Sequence, residues 1–197
     1  MTKFDVKREA TLAAILKVGV AWFPERGFRG VSMRDVADEA SVSTGALYFH
    51  FPSKEHFFVA AMKANDEHRG EGGWWLAGSD PTNTDLAQAV ADGLARMNAD
   101  PNPNGVTWLP AMLEFDLSAK DNPEFQPVVK ELYDQWVGEL ERFVVLVDER
   151  GWVRRDMPTR EIAENLLALH HGMWIQYGFF GFDPRHAADL TIRILQP

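Results

Sequence analysis

The chain has 197 residues, 46% of them hydrophobic and 25% charged, with a formal net charge of −9 and no cysteine. That length accommodates a small head plus a body with its own core, and the lack of cysteine excludes disulfide stapling. With no apolar run of bilayer length and no basic-then-apolar leader at Met1 to Asp5, the expectation is a cytoplasmic protein without a membrane partner. The charge is uneven: residues 1–70 carry 10 Lys and Arg against 9 Asp and Glu, while residues 71–197 carry 10 against 20.

In chain order, Ala14 to Phe28 reads as an amphipathic helix with Ile15, Leu16, Val20, Trp22 and Phe23 on its inward stripe. Gly19 in its middle and Pro24 near its end predict a kink or an early stop, because Pro removes an amide donor and Gly costs about 1 kcal/mol relative to Ala. Ser32 then precedes an apolar-periodic run, with Asp35 three positions on, the spacing of a capping box. Met33, Val36, Ala37 and Ala40 share one face of that helix. The next cap candidate, Ser43, follows after only Ser41 and Val42, so a second short helix begins almost at once. A turn this tight makes the two helices cross steeply, burying the first and leaving the start of the second projecting. The projecting residues are Thr44, Gly45, Ala46, Tyr48, Phe49 and His50, followed by Lys54. Hydroxyl, aromatic, His and Lys side chains gathered there suit a helix-turn-helix reading head for DNA.

The ordered set Gly27, Phe28, Val36, Ala37, Val42, Ser43, Gly45, Leu47, Tyr48, His50, Phe51, Ser53 and Lys54 closely resembles the N-terminal DNA-binding domain of the TetR (tetracycline-repressor-like) family. The first helix resembles the family's first helix as well, so the likeness covers roughly the first quarter of the chain. By what the resemblance implies, Thr44, Gly45 and Ala46 lie against base edges, while Tyr48, His50, Ser32 and Lys54 grip phosphates, Lys54 aided by a helix N-terminus that Ser53 caps. The Gly19 and Pro24 pair of the first helix departs from the family pattern, and so do two positions of the motif itself. Ser41 stands where the turn usually carries Gly, which predicts strain if the backbone needs positive φ. Thr44 replaces the usual basic residue, leaving no Lys or Arg between Arg34 and Lys54, which predicts modest affinity for DNA.

From Ser53 to about His68 the pattern is again helical, and this helix is the expected lever between head and body. A breaker-rich link with Gly70, Gly72, Gly73 and Pro81 follows, then a helix from about Asp85 to Asn98 and a loop at Pro101 and Pro103. WLPAMLEFDLSAK comes next, and Asn122 with Pro123 opens a long amphipathic stretch to Asp148, closed by Gly151. Phe143 to Val147, the best strand candidate, is flanked by helical pattern and reads as buried helix. Thr159 is an N-cap candidate for a helix reaching Trp174 and Tyr177. Asp183, with Pro184 at the first helical position, opens a last helix whose apolar face includes Ala187, Leu190, Ile194 and Leu195. The expected fold is therefore all-α, about nine helices in two domains: 1–52, the helix-turn-helix domain, and 53–197, a helical body for ligand binding and dimerisation.

In the penultimate helix, Ile162, Leu166, Leu169 and Met173 form one stripe and Ala163, Leu167, His170, Trp174 and Tyr177 the next, so two partners are needed. The resemblance implies that the last two helices pair with those of a second copy in a four-helix bundle, with Leu169, Gly172, Gln176 and Leu195 at the contact. It also implies an inducer pocket in the body. Six of the seven Trp lie there. Trp108, Met112, Phe115, Trp136, His170 and Trp174 are its candidate lining, suited to an aromatic or lipophilic ligand, with a cation favoured by the carboxylate surplus and the ring faces.

His170 and His171 raise a metal site with Glu114 or Asp116, but adjacent helical positions point about 100° apart and do not chelate one ion. No H-E-x-x-H, G-x-S-x-G or G-x-x-x-x-G-K-[ST] occurs, so neither catalysis, metal nor cofactor is expected. The expected activity is that of a DNA-binding transcriptional regulator, a repressor released from its operator by a small molecule. The alternative is a ligand-binding or scaffolding module whose head has weak or lost affinity for DNA.

Overall fold

A computed structural model of the chain describes residues 3–67, 88, 90, 108–120, 122–149, 151–181 and 183–196. The described residues form eight helices and no strand: α1 (Lys3–Gly30), α2 (Met33–Glu39), α3 (Thr44–His50), α4 (Lys54–Glu67), α5 (Leu109–Lys120), α6 (Gln126–Asp148), α7 (Thr159–Phe180) and α8 (Pro184–Leu195). The protein is all-α, as its periodicity required. The helix expected from Asp85 to Asn98 lies outside the described residues except for Gln88 and Val90, as does the Tyr177 side chain.

Two compact units make up the chain. The first is Met1–His68 with Asn102–Glu131, the second Arg69–Pro101 with Leu132–Pro197. The first unit thus holds α4 and α5 together with the helix-turn-helix motif.

The first unit is held by rings. Phe23 and Phe28 of α1, Phe57 and Phe58 of α4, and Trp108 and Phe115 around α5 touch with centroid separations of 4.6 to 6.3 Å, several of them edge to face. None is more than 4% exposed. Such pairs add about 0.5–1.5 kcal/mol each beyond the area they bury. α1 buries Ile15, Val18, Gly19 and Phe23, while Leu16, Val20 and Trp22 of the expected stripe are only half-buried. Trp22 instead lies under the Arg26 guanidinium, 3.5 Å from its ring centroid. Nor does α1 break where Pro24 suggested. Pro24 sits inside the helix, and the kink falls at Gly27, whose φ of 70° and ψ of 170° leave helical geometry in a region glycine enters without Cβ strain.

In the second unit, α7 buries Ile162, Ala163, Leu166, Leu167, His170 and Met173, and α8 buries Ala187, Ala188, Thr191 and Leu195. Leu190 and Ile194 lie at the edge of that face. Across the α7 and α8 contact, His170 Nε2 lies 3.1 Å from Thr191 Oγ1, and that hydroxyl donates to the Ala187 carbonyl at 2.9 Å. Asp183 caps α8 through the amides of Arg185 and His186. Residues Phe143 to Val147 are helical, within α6. Two expected helix starts move. Asn122 accepts from the Glu124 amide at 3.1 Å in a short turn, and α6 begins only at Gln126. Thr159 is the first residue of α7 rather than its cap, and its hydroxyl donates to Glu141 at 3.3 Å.

Two expectations follow for stability. A Cβ on Gly19 would come 2.7 Å from Phe57 Cζ and 2.8 Å from Ala61 Cβ. Gly19→Ala is therefore expected to lower the urea midpoint by the equivalent of about 1–3 kcal/mol, overriding the gain in helix propensity. An unchanged or raised midpoint would contradict the close α1 and α4 crossing. Burial pushes the His170 imidazole down to about 3, so it stays neutral in the folded chain while the unfolded chain binds a proton below about 6.5. Stability is then present above that pH and is lost as pH falls from about 6.5 towards 3. Urea midpoints at pH 7 and 4.5 should converge in His170→Leu by on the order of 2 kcal/mol relative to the unmodified chain, and equal acid losses in both would refute this.

Candidate nucleic-acid interface

The reading head is assembled from local hydrogen bonds. Ser32 Oγ accepts the Asp35 amide at 3.5 Å, starting α2, whose Met33, Val36 and Ala37 are buried. α2 then ends in a double closure: the Val42 amide reaches the Ala37 carbonyl at 2.9 Å and the Ser41 amide reaches Asp38 at 3.1 Å. That pairing is a Schellman stop, which places the residue after the C-cap in the left-handed region. Ser41 occupies it at φ 55°, the one non-glycine with positive φ among the described residues. The strain expected at Ser41 is therefore present, and the turn geometry is kept in spite of it.

Ser43 Oγ accepts the Ala46 amide at 3.1 Å and starts α3. Leu47 is the single buried residue of α3, with Phe51 buried just beyond it. The rest of the helix faces outward: Thr44, Gly45, Tyr48 and Phe49 are exposed, and Ala46 and His50 are half-buried. Phe49 is 77% exposed, with the His50 ring edge-on at 5.5 Å. A Cβ at Gly45 would meet only Ser43 Oγ, 4.0 Å away, so nothing in this chain demands a glycine there.

Lys54, expected at a phosphate, also has partners within its own chain. Its Nζ donates to the Arg29 carbonyl at 3.3 Å and lies 4.6 Å above the Phe28 ring. Burial lowers its pKa, opposed by the nearby Glu55 and Glu114 charges. Ser53 caps α4 as expected, accepting the His56 amide at 3.4 Å, and its hydroxyl also lies 2.9 Å from His56 Nδ1.

The six candidate ligand residues divide between the units. Trp108 and Phe115 belong to the ring cluster of the first unit, and Met112 is buried beside them on α5. Phe115 is 0% exposed and stacked on Phe58 at 4.6 Å, and Trp108, 4% exposed, lies 5.7 Å from the same ring, so both pack on the aromatic side chains of the first unit. In the second unit His170 is bonded to Thr191, Trp136 is buried and Trp174 is half-buried. Trp136 joins a trio that sequence reading missed: His171 stands edge-on to both Tyr133, at 5.4 Å, and Trp136, at 5.5 Å. Their helical spacing across α6 and α7 carried no signal of this meeting. The two histidines diverge as adjacent helical positions must, and no group of three metal-ligating side chains occurs among the described residues.

At the expected dimer contact, Gly172 and Gln176 are exposed and Leu169 is half-buried, with Ile175, 39% exposed, beside them. Leu195, also expected there, is 0% exposed and covered by its own chain. No described helix is long and apolar enough to cross a membrane.

With this geometry in place, comparison with known proteins is informative. Residues 15–61 match bacterial regulatory proteins of the tetR family, and residues 89–196 match the C-terminal region of BetI-type transcriptional repressors. The HTH-type transcriptional repressor DhaR of Mycobacterium sp. (strain GP1) is 25% identical over 170 residues, covering 80% of this chain and 77% of that protein. Several other curated relatives match over shorter stretches, of 41 to 61 residues, that span 20% to 27% of their own length. A TetR-family regulator from Rhodococcus sp. has the same fold, with a TM-score of 0.72 at 22% identity over 94% of this chain and 96% of that one. So does a regulator from Saccharomonospora viridis in complex with choline, with a TM-score of 0.61 at 23% identity over 93% of both. Family matches that together span the head and the carboxy-terminal half, on an all-helical fold with a helix-turn-helix near its start, place this chain in the TetR family of transcriptional regulators.

Proposed function

We propose that the protein is a homodimeric repressor that reads DNA with α3 and is released by a small-molecule ligand. The observation that carries the reading is the outward presentation of α3, a capped helix held by Leu47 alone, with Thr44, Gly45, Tyr48 and Phe49 offered to solvent. A glycine that the chain's own packing does not require suits backbone that must come close to something outside, and the major groove accepts a helix of this size. In this reading Thr44, Gly45 and Ala46 face base edges, Phe49 packs on thymine methyls, and Ser32, Tyr48 and His50 hold phosphates. Lys54, already bonded to the Arg29 carbonyl, keeps two further N–H donors for a phosphate.

The head's contact area is small, and a two-fold axis doubles it by placing two copies of α3 in half-sites about 34–36 Å apart. Leu169, Gly172, Ile175 and Gln176 on one side of α7 are the proposed seam. A Cβ at Gly172 would meet nothing within 4 Å, leaving room for a close approach. The ligand is proposed to be an aromatic or lipophilic molecule, with a cation favoured by ring faces, taken by Trp136 and Trp174 of the second unit near His170; choline in the Saccharomonospora viridis regulator is consistent with such chemistry. Ligand binding would favour a dimer arrangement with its heads misplaced for the operator.

A second reading, a module with little DNA affinity, draws support from the inward bonding of Lys54 and the absence of Lys or Arg between Arg34 and Lys54. Salt separates the two. In fluorescence-anisotropy titrations on the DNA upstream of its own coding region, the regulator loses affinity steeply with log salt, and Tyr48→Ala and Thr44→Ala each weaken binding about 5- to 100-fold. No specific complex at any salt, or unchanged affinity in both variants, would contradict the regulator reading. Sedimentation should show a dimer at micromolar concentration, shifted to monomer by Ile175→Glu; a monomeric unmodified chain would contradict the seam.

A further inference from the structure

The break at Gly27 has a partner on α5. Past this non-helical residue the chain runs through Phe28 to Gly30 towards Ser32, the cap of α2. The Arg29 amide is satisfied from outside: it donates to Glu114 Oε2 of α5 at 2.8 Å, across 85 positions of sequence. The other side of the same residue is held as well, since the Arg29 carbonyl accepts from Lys54 Nζ at 3.3 Å. Carboxylate and ammonium thus hold the backbone N–H and the backbone carbonyl of Arg29 between them. Gly27 leaves the carboxylate its room, because a Cβ there would fall 2.8 Å from Glu114 Oε2 and 3.0 Å from Oε1.

We propose that Glu114 is a positioning residue for DNA reading: its carboxylate fixes the Arg29 peptide and thereby sets how α2 and α3 are presented. The inference rests on the reading of α3 as the DNA-contacting helix. The path from the gripped peptide to that helix is short. Arg29 stands three residues before Ser32, which caps α2, and the chain between them is pinned by Val31, 2% exposed. α2 in turn delivers α3 through the Schellman stop at Ser41 and the cap at Ser43. A bond from an ionised acceptor to an amide is about twice as strong as a neutral one, so the carboxylate is a firm stop for this peptide.

Electrostatics makes the test unusually clean, because the two possible roles predict opposite signs. A carboxylate near DNA repels phosphate, so deleting one that merely adds charge leaves binding equal or tighter. Deleting one that positions the reading helices weakens it. The full-length chain would be assayed by fluorescence anisotropy on its own upstream DNA, below the onset of melting of each variant so that only folded protein is counted. Glu114→Ala is expected to bind about tenfold more weakly, Glu114→Gln, which keeps the acceptor, to stay within about threefold of the unmodified chain, and Glu124→Ala, an exposed carboxylate in the turn before α6, to bind equally or more tightly. Hydrogen exchange gives the second readout: the Arg29 amide should be protected in the unmodified chain and in Glu114→Gln, and exposed in Glu114→Ala. Equal or tighter binding by Glu114→Ala, or an unprotected Arg29 amide in the unmodified chain, overturns the proposal, and the latter does so even if the alanine variant fails to fold. An unmodified chain that binds no DNA while its Arg29 amide is protected counts against the regulator reading instead.

Discussion

The first unit depends on a single cluster of rings drawn from three distant parts of the sequence. A three-helix head of some fifty residues buries too little apolar surface to be firmly stable alone. Here Phe23 and Phe28 come from α1, Phe57 and Phe58 from α4, and Trp108 and Phe115 from the α5 region, so the head gains a core by taking in a helix that lies more than forty residues further along. Gly19 lets α1 and α4 approach closely enough for Phe57 to enter, and Phe28 turns in only because Gly27 breaks the helix just ahead of it. α2 and α3 are then free to be small and polar, since neither has to supply the bulk of the core.

Within that frame the reading motif is an arrangement of backbone ends. Ser32 and Ser43 each satisfy an amide at the start of a short helix, and the Ser41 to Val42 closure satisfies carbonyls at the end of α2. Leu47 anchors α3 with one side chain. The consequence is a helix whose orientation is defined almost entirely by its ends, which leaves its outward side chains unencumbered. Holding Ser41 at positive φ costs on the order of 1 kcal/mol, a modest strain for a turn that fixes the angle between the two helices.

How much of this was legible in the sequence follows from the range of each interaction. Caps and turns act over two to four residues, and so Ser32, Ser43, Ser53, Asp183 and the strained Ser41 were all readable in place. The family likeness supplied α3 and its outward residues together. Local reading still misplaces two helix starts, since Asn122 closes a short turn and Thr159 is a first helical residue; elsewhere the deciding partner is remote. Pro24 looked like the breaker of α1, yet the break is at Gly27, beside a Glu114 carboxylate 87 positions away in number. Trp108 and Phe115 carry the signature of flat apolar residues on a helix, which is the same for a ligand contact and for the packing on Phe58 that the structure shows. Leu195, expected at the outer contact, lies on the side of α8 that its own chain covers. Lys54 illustrates the same limit, for its position in the motif was plain while its bond to the Arg29 carbonyl was not. His171 and Tyr133 meet across two helices whose register no local pattern encodes.

The central claim is that two copies of α3, related by a two-fold axis, read a duplex together. Selection of bound DNA from a random pool tests it most directly, since one result reports binding, symmetry and spacing. The account predicts enrichment of an inverted repeat whose half-sites lie about one helical turn apart, roughly 34–36 Å from centre to centre, or a multiple of it. Enrichment of a lone, asymmetric half-site, or of no sequence at all, would contradict it.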